Sequence, residues 1–600
     1  MIKIRRKKNV QDILLEHKKD RRLLPNVPDA KKMRSGQERR GSSVEHFDPI
    51  SRTRYLVQYP VMIICRQGIE KKRINASAID ISTSGILIKV EQEEDIKTLE
   101  DSGSATLRFQ VAPGTMPEGL EMKMRIKADF VRKVEQEDEM LVAMKFRKDL
   151  KQKAKEKRGN YALVSSCILL IFITLFIMLM RAESILYFKF NKWLYLYSII
   201  TAVFLLTRYL FGSFYRPVKV DPEYTPSVTI IIPCFNEEKW IQQTILSCMN
   251  QNYPMDKLEV IVVDDHSSDG SVEKIKEITE RLFREGEEYD IPNRLRYFVQ
   301  ERNGGKREAL TRGTLEAKHD LVVFVDSDSF LDSDAIRNLV QPFKDPKMGG
   351  VTGRTDVANT YTNVLTKMQS VRYYIAFRIM KAAEGYFDAV TCLSGPLACY
   401  RKELVVKNIN KWLSQSFLGQ KATFGDDRAM TNFILKGYRT AYQDTAVCST
   451  VVPNRYKVFL KQQMRWKRSW LRESLMASRF MWRKEPFAAV SFYMGLVVPV
   501  AAPVVVVYNL IIAPIRLGIF PTTFLVGMLM MAMMMSVVQL LLRKSTTWIF
   551  GLVFCLFYEG VLLWQMPIAW VTFWKSTWGT RMTPDDIRVQ EKRESRKKIV

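Results

Sequence analysis

Leu321-Val-Val-Phe-Val325 is an unbroken apolar run that leads straight into Asp326-Ser327-Asp328. Five consecutive apolar residues predict a strand that is buried on both faces, as in a parallel sheet. Leu258–Val263 is a second run of this kind, and Asp264-Asp265 follow it directly. Because the carboxyl ends of parallel strands meet at one edge of a sheet, we expect these acids to lie together. The competing interpretation is that acids after strands only form turns and helix caps.

Buried strands alternate with helical stretches from residue 222 to residue 454, on both sides of these runs. Val228–Ile232 and Tyr297–Gln300 are further predicted strands, and Glu237–Gln251 has the pattern of a helix. The alternation predicts a doubly wound α/β domain, with a parallel sheet and helices on both of its faces. Ligands of such a domain bind at the carboxyl ends of the strands.

Three polar clusters have the chemistry to bind a nucleoside diphosphate sugar. Asp326 and Asp328 offer the hard oxygen ligands with which Mg²⁺ or Mn²⁺ holds a pyrophosphate. Lys306 follows two glycines at a predicted helix N-terminus, which suits a phosphate, although Asn-Gly-Gly is also an ordinary turn. Asp427, within Gly425-Asp426-Asp427-Arg428, precedes an apolar-periodic helix and is either a helix cap or a general base.

Long apolar runs flank this domain, two within residues 160–214 and three within residues 486–574. They are Tyr161–Met180, Leu194–Phe211, Phe487–Ile512, Pro521–Leu542 and Trp548–Phe573. Each is about long enough to cross a bilayer as a helix, and basic flanks predict that the domain and the tail of residues 575–600 are cytoplasmic. Three downstream spans leave that tail outside, so we expect a bent or re-entrant segment, or a fourth span, most readily where Glu559-Gly560 and Pro567 interrupt the last run.

The formal net charge of +28 fits either nucleic-acid binding or the cytoplasmic ends of membrane helices beside anionic lipid. Aromatic residues do not interleave with the basic runs, so we expect membrane lipid and no nucleic acid as partner. Residues 1–50 read as a basic flexible arm, and residues 455–484 are amphipathic, basic and rich in Trp, as interface helices are. The eight Cys include no CxxC pair, which predicts reduced cytosolic domains and no zinc site. Together with the apolar runs, this predicts a multi-pass plasma-membrane protein.

Six motifs occur along the chain in an order that is specific as a set. They are Val228-Thr-Ile-Ile-Ile-Pro-Cys-Phe-Asn236-Glu237-Glu238, Asp264-Asp265, Asp326-Ser-Asp328, Ser394-Gly395-Pro396-Leu397, Gly425-Asp-Asp427-Arg428 and Gln462-Gln-Met-Arg465-Trp466. From about residue 160 to Trp578-Gly579-Thr580-Arg581, the sequence resembles processive family-two glycosyltransferases of the hyaluronan, chitin and cellulose synthase group. The likeness extends furthest for hyaluronan synthases, which share Arg472-Glu473-Ser474 and the Trp-Gly-Thr-Arg ending. It implies a GT-A type domain that transfers sugar from a UDP-sugar to a growing polysaccharide.

The resemblance also implies a role for each motif residue. The residues that the resemblance places at the nucleotide sugar are Asp265, Lys306, Asp326, Asp328, Arg465, Trp578 and Arg581. Of these, Asp265 contacts the uracil or ribose end, and Asp328 holds the metal. The acceptor is contacted by Ser394, Gly395, Pro396, Gln462 and Trp466. Asp427 is the catalytic base. An aromatic face stacks on a sugar ring and an Arg fork grips phosphate; the competing interpretation of Trp466 is a membrane anchor.

The implied reaction is inverting transfer without a covalent intermediate. Asp427 deprotonates an acceptor hydroxyl, which attacks the anomeric carbon from the face opposite the nucleotide, and the membrane helices pass the polymer outward. The sugar stays open, because hyaluronan synthases alternate two donors whereas chitin and glucan synthases use one. UDP-Glc, UDP-GlcNAc and UDP-GlcA are all candidates, and a single-donor β-glucan is a candidate product.

Residues 51–150 show short alternating runs that turns separate, which predicts a small β-barrel. Asp80-Ile-Ser82-Thr-Ser-Gly85 resembles the Asp-x-Ser-x-x-Gly element of PilZ domains, which bind cyclic di-GMP. The Arg-x-x-x-Arg of that family has no strict copy here, and the basic residues that stand in its place are Arg39, Arg40, Arg52 and Arg54. The resemblance implies cyclic di-GMP as an allosteric activator, and the alternative is a barrel used only for docking.

Two further functions stay open at this point. One is a cyclic di-GMP receptor in which an inactive transferase domain serves as a scaffold, and the intact Asp326, Asp328 and Asp427 argue against it. The other is a non-processive transferase of lipid-linked sugars, against which the Gln-x-x-Arg-Trp motif and the downstream apolar runs speak.

Overall fold

A computed structural model of the chain describes residues 55–67, 70–111, 123–136, 139–150, 192–285, 290–518 and 547–574, with a few positions between 524 and 536. Several predictions lie outside the described residues. They concern Tyr161–Met180, most of Pro521–Leu542, Arg39, Arg40, Arg52, Arg54, Trp578 and Arg581.

The N-terminal strands close into a barrel in the order β1-β2-β3-β6-β5-β4. Their bounds are β1 Tyr55–Gln67, β2 Glu70–Ile81, β3 Gly85–Lys89, β4 Ser104–Gln110, β5 Lys123–Gln136 and β6 Glu139–Phe146. The period of two along β1 buries Val61 and Ile63 in the barrel core, whereas Met62 between them is 36% exposed. Helix α1 (Glu93–Ser102) adds Ile96 and Leu99 to the same core. The predicted small barrel is therefore present.

The α/β domain is built on one eight-stranded sheet in the order β11-β16-β12-β13-β10-β7-β8-β9. The bounds are β7 Val228–Cys234, β8 Leu258–Asp264, β9 Leu295–Val299, β10 Leu321–Phe324, β11 Ser329–Leu331, β12 Met348–Val357, β13 Ala398–Arg401 and β16 Arg439–Thr450; β14 Ser416–Phe417 and β15 Gln420–Lys421 form a separate hairpin. Strands β10, β7, β8 and β9 are parallel as predicted. The predicted parallel sheet is extended by antiparallel strands, because β13 is antiparallel to β10 and β12, and β11 is antiparallel to β16. Strand β13 begins beside the carboxyl end of β10, where Ala398 pairs with Phe324, so it has to run back through the sheet.

Helices cover both faces of this sheet, and further helices precede and follow the domain in the chain. Their bounds are α2 Lys192–Phe214, α3 Ile241–Met249, α4 Ser271–Glu285, α5 Ile291–Arg294, α6 Lys306–Glu316, α7 Ala335–Leu339, α8 Val364–Ile375, α9 Ala382–Gly385, α10 Lys402–Leu413, α11 Asp426–Leu435, α12 Tyr456–Met481, α13 Pro486–Val507, α14 Ala513–Leu517, α15 Phe550–Phe557 and α16 Gln565–Trp570. Along β7, Ile230 and Ile232 pack with α3 and α4, whereas Ile231 packs with α6 and α10. This two-sided burial is the doubly wound arrangement that the apolar runs predict.

Helix α3 begins four residues later than the predicted helix Glu237–Gln251. Asn236 has a φ of 55°, and the Glu237 N–H donates to Ser271 Oγ at 2.8 Å. The left-handed backbone at Asn236 and this hydrogen bond hold Glu237 and its neighbours in a turn at the edge of the sheet. The helix therefore starts only after them.

The apolar helices lie before and after the α/β domain in the chain. Helix α2 contains the predicted span Leu194–Phe211. Within the described residues, one helix, Pro486–Arg516, is long and apolar enough to cross a membrane, and Val203–Phe214 and Phe550–Leu562 are shorter apolar helices. A π-helical segment at Tyr558–Leu562 continues α15 through Glu559-Gly560, and the turn at Leu563 and Trp564 separates it from α16.

Candidate active site

One cavity of about 1080 Å³ lies at the carboxyl edge of the sheet. Every predicted donor, acceptor and catalytic residue within the described part of the chain lines it. These residues are Asp265, Lys306, Asp326, Asp328, Ser394, Gly395, Pro396, Asp427, Gln462, Arg465 and Trp466. Residues from three distant stretches of sequence are thus brought into one chamber.

Lys306 and Asp326 form an ion pair at the floor of this cavity. Lys306 is the first residue of α6, and Asp326 follows β10, so the sheet edge and a helix N-terminus meet here. Burial lowers the pKa of Lys306, but the nearby carboxylates of Asp326, Asp426 and Asp427 outweigh burial and raise it overall. Lys306 is therefore a charged ammonium group, as a pyrophosphate site requires.

Gly395 approaches this ion pair closely. A Cβ atom on Gly395 would lie 3.1 Å from Lys306 Nζ and 3.2 Å from Asp326 Oδ2. The absence of a side chain therefore brings the 394–396 loop into contact with the pair. The motif Ser394-Gly395-Pro396, to which the resemblance assigns an acceptor role, thus lies at Gly395 against the Lys306 and Asp326 pair.

Asp265 holds the loop that precedes Lys306. Its Oδ1 accepts from Gly304 N–H at 2.8 Å and from Gln300 Nε2 at 2.9 Å, and its Oδ2 accepts from Gly305 N–H at 2.8 Å. Burial raises the pKa of Asp265 to about 6, although these backbone bonds lower it. The Asp265 carboxylate therefore shapes the phosphate-facing loop, in addition to any contact with a nucleotide.

The acids that follow β10 fit a divalent cation of the kind that nucleotide sugars bring. Asp326 and Asp328 both line the cavity, and Asp328 Oδ1 accepts from Thr450 Oγ1 at 3.3 Å. No group of three or more His, Cys, Asp or Glu side chains that could hold a metal occurs among the residues that the structure describes. Two carboxylates suit Mg²⁺ or Mn²⁺ when substrate phosphates and water complete the coordination.

Asp427 lies on the first turn of α11 and lines the chamber. Gly425 precedes it with a φ of +83°, and a Cβ atom there would lie 2.8 Å from Ser469 Cβ of α12. The neighbouring Asp426 also lines the cavity, but its carboxylate pairs with Arg307 at 2.5 Å. Asp427 Oδ2 accepts a weak hydrogen bond from Cys392 Sγ at 3.4 Å. Glycine at 425 thus allows α11 to pack close to α12 while Asp427 faces the cavity.

A buried polar network joins α11 to α12. Glu473 and Arg472 are each 1% exposed, and Arg472 Nε donates to Glu473 Oε1 at 3.0 Å. Gln415 and Asn432 donate to the same Glu473 carboxylate at 3.0 and 3.3 Å. The sequence motif Arg472-Glu473-Ser474 therefore holds the helix of Asp427 against the helix of Trp466.

Trp466 forms a wall of the chamber together with aromatic and cationic neighbours. The Arg372 guanidinium lies 5.4 Å from the Trp466 ring centroid, and the Tyr373 ring lies 6.4 Å away. Arg372 also donates to Gln463 Oε1. The Oε1 atom of Gln462 is buried and has no hydrogen-bond partner in the described part of the chain. The Trp466 ring and the Gln462 amide oxygen are thus available to a sugar, whereas the Gln463 amide oxygen accepts a hydrogen bond from Arg372.

Sequence reasoning missed several residues of this chamber, among them Arg372, Lys381 and Cys392. Lys381 Nζ donates to Ser394 Oγ at 2.5 Å and to the Cys392 carbonyl at 2.7 Å. Burial lowers the pKa of Lys381 and raises the pKa of Cys392 to about 11. A lone Lys in a helical stretch carries no signal that separates it from a solvated surface residue. The same is true of Arg372.

The predicted cyclic di-GMP element forms a tight turn of the barrel. Ser82 Oγ accepts from Gly85 N–H at 3.1 Å, and a Cβ atom on Gly85 would lie 2.8 Å from the Met144 carbonyl oxygen. Ser82 and Gly85 therefore have structural reasons to be present. The strand residue Asp80 pairs through its backbone with Leu56 and Leu87.

The chain matches known families over the region that holds the cavity. The family described as Glycosyl transferase family 2 matches residues 229–407, and the one described as Glycosyl transferase family group 2 matches residues 321–572. A hyaluronan synthase of Streptococcus pyogenes is 34% identical over 284 residues, which cover 47% of this chain and 66% of the relative. An N-acetylglucosaminyltransferase of Rhizobium meliloti is 35% identical over 276 residues, which cover 46% of this chain and 62% of the relative. The chain thus spans just under two thirds of the length of these relatives.

A solved mannosyltransferase of Pyrobaculum calidifontis, in complex with GDP-Man and Mn²⁺, is 22% identical, covers 61% of this chain and 99% of its own, and has a TM-score of 0.43. The family matches and the sequence relatives, on a doubly wound sheet with acids at its carboxyl edge, define the class as a glycosyltransferase of GT-A type. More narrowly, the part of the chain that holds the cavity is similar to family-2 glycosyltransferases, whose models match it between residues 229 and 572.

Proposed function

We propose that this chain is a processive, inverting polysaccharide synthase that takes sugar from a UDP-sugar and passes the polymer across the plasma membrane. The observation that carries the proposal is the continuity of the cavity. Its lining begins at Asp326 and Asp328, includes Asp427 and Trp466, and extends to Phe204, Gly495, Pro499, Tyr558 and Met566 of the apolar helical segments. A donor site and a membrane-facing exit therefore share one chamber.

The geometry supports the following division of labour. The diphosphate lies at the floor, where Lys306 supplies positive charge and Asp265, by accepting from the Gly304 and Gly305 N–H groups, fixes the loop that leads into Lys306. Asp328, with help from Asp326, would hold a divalent cation, which would supply positive charge that stabilises the departing UDP. The sugar of the donor then points across the chamber toward Asp427.

Asp427 is the proposed general base. It removes the proton of an acceptor hydroxyl while that oxygen attacks the anomeric carbon, and the bond to UDP breaks on the opposite face. Trp466 offers the stacking face for the terminal acceptor sugar, and Gln462 offers a buried amide oxygen that has no partner in the described chain. Because the acceptor end is gripped apart from the nucleotide, UDP can leave while the polymer stays bound, as processive synthesis requires.

The donor is the open part of the proposal. The hyaluronan synthase and the N-acetylglucosaminyltransferase relatives have nearly equal identities of 34% and 35%, so likeness alone does not choose between two alternating donors and one. We test this with purified protein, Mg²⁺ or Mn²⁺, and UDP-Glc, UDP-GlcNAc and UDP-GlcA singly and in pairs. UDP release with a long product from one donor identifies a single-sugar polymer. A product only from the pair UDP-GlcNAc and UDP-GlcA identifies hyaluronan, and no product from any combination contradicts synthase function.

Regulation by cyclic di-GMP is a second part of the proposal. The closed six-stranded barrel and the Ser82–Gly85 turn support a PilZ-like domain, and a receptor with an inactive transferase domain is the competing function. Calorimetry of the full chain with cyclic di-GMP tests this, with Asp80→Ala as the disrupting variant. Asp95→Ala, which removes the partner of Lys72 at 2.8 Å elsewhere on the barrel, is the matched control. Absence of heat from the wild-type chain removes cyclic di-GMP from the account.

A further inference from the structure

The loop of residues 391–396 connects the two halves of the active site. Cys392 touches the Asp427 carboxylate at 3.4 Å. Three residues later, Gly395 lies against the pair of Lys306 and Asp326. The loop therefore contacts the proposed base near its beginning, at Cys392, and the phosphate end of the chamber near its end, at Gly395.

Glu384, on the short helix α9, holds the beginning of this loop. Glu384 Oε2 accepts from Thr391 N–H at 2.9 Å and from Thr391 Oγ1 at 3.1 Å. Thr391 is the residue directly before Cys392. A carboxylate that accepts two bonds from one residue fixes both the backbone and the side chain at that point.

The same carboxylate is tied to the apolar helix α2. Arg208 Nη1 donates to Glu384 Oε1 at 3.3 Å, and the two side chains are only 10% and 18% exposed. Arg208 Nη1 also donates to the Met380 carbonyl at 3.3 Å. Gly212, one turn further along α2, comes within Cβ contact distance, 3.0 Å, of the Ile379 carbonyl oxygen. Helix α2 thus contacts the segment before the loop at two successive turns, through Arg208 and Gly212.

Arg208 also faces the second apolar helix. A Cβ atom on Gly495 of α13 would lie 3.9 Å from Arg208 Nη2 and 3.2 Å from the Phe204 ring. Phe204 and Gly495 both line the cavity. Arg208 therefore lies where α2, α13 and the catalytic domain meet.

We propose that Glu384 is a positioning residue, which acts with Arg208 to couple the apolar helices to the loop that holds Asp427 in place. The inference rests on the proposed function of Asp427 as base, and it adds a residue that touches neither donor nor acceptor. Movement of α2 or α13, as polymer passes along the cavity that both helices line, is transmitted through Arg208 and Glu384 to Thr391 and Cys392. The base is then aligned when the apolar helices are in one arrangement and displaced in another.

The proposal predicts an effect on turnover and not on donor binding. A displacement of about 1 Å at reacting groups costs on the order of a hundredfold in rate, so we expect Glu384→Ala to lower kcat about tenfold to a hundredfold. The Kd for UDP should change by less than about twofold, because Lys306 and Asp326 make no bond to Glu384. Glu384→Gln, which keeps an acceptor for Thr391 but loses the charge, should fall between Glu384→Ala and wild type.

Arg208 supplies the readout that a merely structural role would not give. Arg208→Met and Glu384→Ala should each lower kcat, and the double variant should be no slower than the slower single variant, because both remove one coupling. Arg208→Lys keeps the charge and should restore most of the rate. Asp345→Asn, which removes the exposed pair of Asp345 with Arg439 at 3.2 Å, is the control and should match wild type.

The experiment measures UDP release, polymer yield, UDP affinity and melting temperature for each full-length variant in detergent. Wild-type kcat in Glu384→Ala overturns the inference, as do additive losses in the double variant or a parallel loss of UDP affinity. If Glu384→Ala is too unstable to purify, Glu384→Gln and Arg208→Lys decide the question by the same kcat comparison. A wild-type chain that releases UDP without making polymer contradicts the synthase proposal alone, since the variants can still be compared by UDP release.

Discussion

Replacement of Gly395 by Ala tests the floor of the active site more sharply than removal of a charge does. The new Cβ atom would lie 3.1 Å from Lys306 Nζ, and 3.2 and 3.3 Å from the two Asp326 oxygens. Ordinary contacts begin at 3.4 Å, so the ion pair has to move by a few tenths of an ångström. Neither charged group is deleted, and the change therefore isolates geometry from charge.

The magnitude follows from the cost of an added methyl group in a close-packed site, which is about 1–3 kcal/mol. Since about 1.4 kcal/mol corresponds to a tenfold change in affinity, we expect the Kd for UDP or the KM for the donor to rise about fivefold to a hundredfold. The Lys306 ammonium is the flexible end of a long side chain, which places the expected value toward the lower part of that range. The rate at saturating donor should fall less than the affinity does.

The assay is donor titration with UDP release as readout, supported by direct UDP binding and a thermal melt. Gly437→Ala is the matched control, because nothing lies within 4 Å of the Cβ atom that it adds. Unchanged donor affinity in Gly395→Ala, with Gly437→Ala behaving as wild type, would refute the proposed phosphate floor. Equal losses in both variants would point to general destabilisation.

Three further predictions concern pH and stability. Burial raises the pKa of Asp265 to about 6, so the carboxylate that holds Gly304 and Gly305 becomes protonated as pH drops from 7 to 5. Donor affinity should fall over this range, and Asp265→Asn should flatten the dependence in a binding titration. Burial lowers the pKa of Lys467 in the folded chain to about 7. Because a base whose pKa is lower in the folded than in the unfolded state favours folding in its neutral form, the melting temperature should rise as pH increases above about 7. Lys467→Met should remove this rise. Glu473→Gln leaves Arg472 buried without its charged partner and should cost about 3–5 kcal/mol of unfolding free energy, read as a lower melting temperature and lost activity; a melt like that of wild type would contradict the structural role of the network.

The sequence predicted the site where acids follow apolar strands. Strand β10 and Asp326, and β8 and Asp265, lie as periodicity and strand topology require, because side-chain period and the common edge of parallel strands follow from local rules. The antiparallel strand β13 escaped that reasoning, since a four-residue run gives no direction of its own. The shape of the chamber depends on β13, because the 391–396 loop leads into it.

Roles that depend on distant contacts were the other gap. Asp265 was expected to contact the nucleotide, and its carboxylate oxygens accept bonds from Gln300 and the 304–305 loop. Glu384 carries no motif, and its partners Arg208 and Thr391 are 176 and 7 residues away. Such pairings arise only when helices from separate parts of the chain pack together, so a single sequence does not reveal them.

The central claim is that Asp427 is the base of a processive transfer within the shared chamber. The most direct measurement compares wild type with Asp427→Asn for polymer length and UDP binding, in the same detergent and with the donor or donors that the wild type uses. The account predicts that polymer is abolished in Asp427→Asn while UDP affinity stays within about twofold of wild type, because Lys306 forms its ion pair with Asp326 and not with Asp427. Polymer of normal length from Asp427→Asn would contradict it.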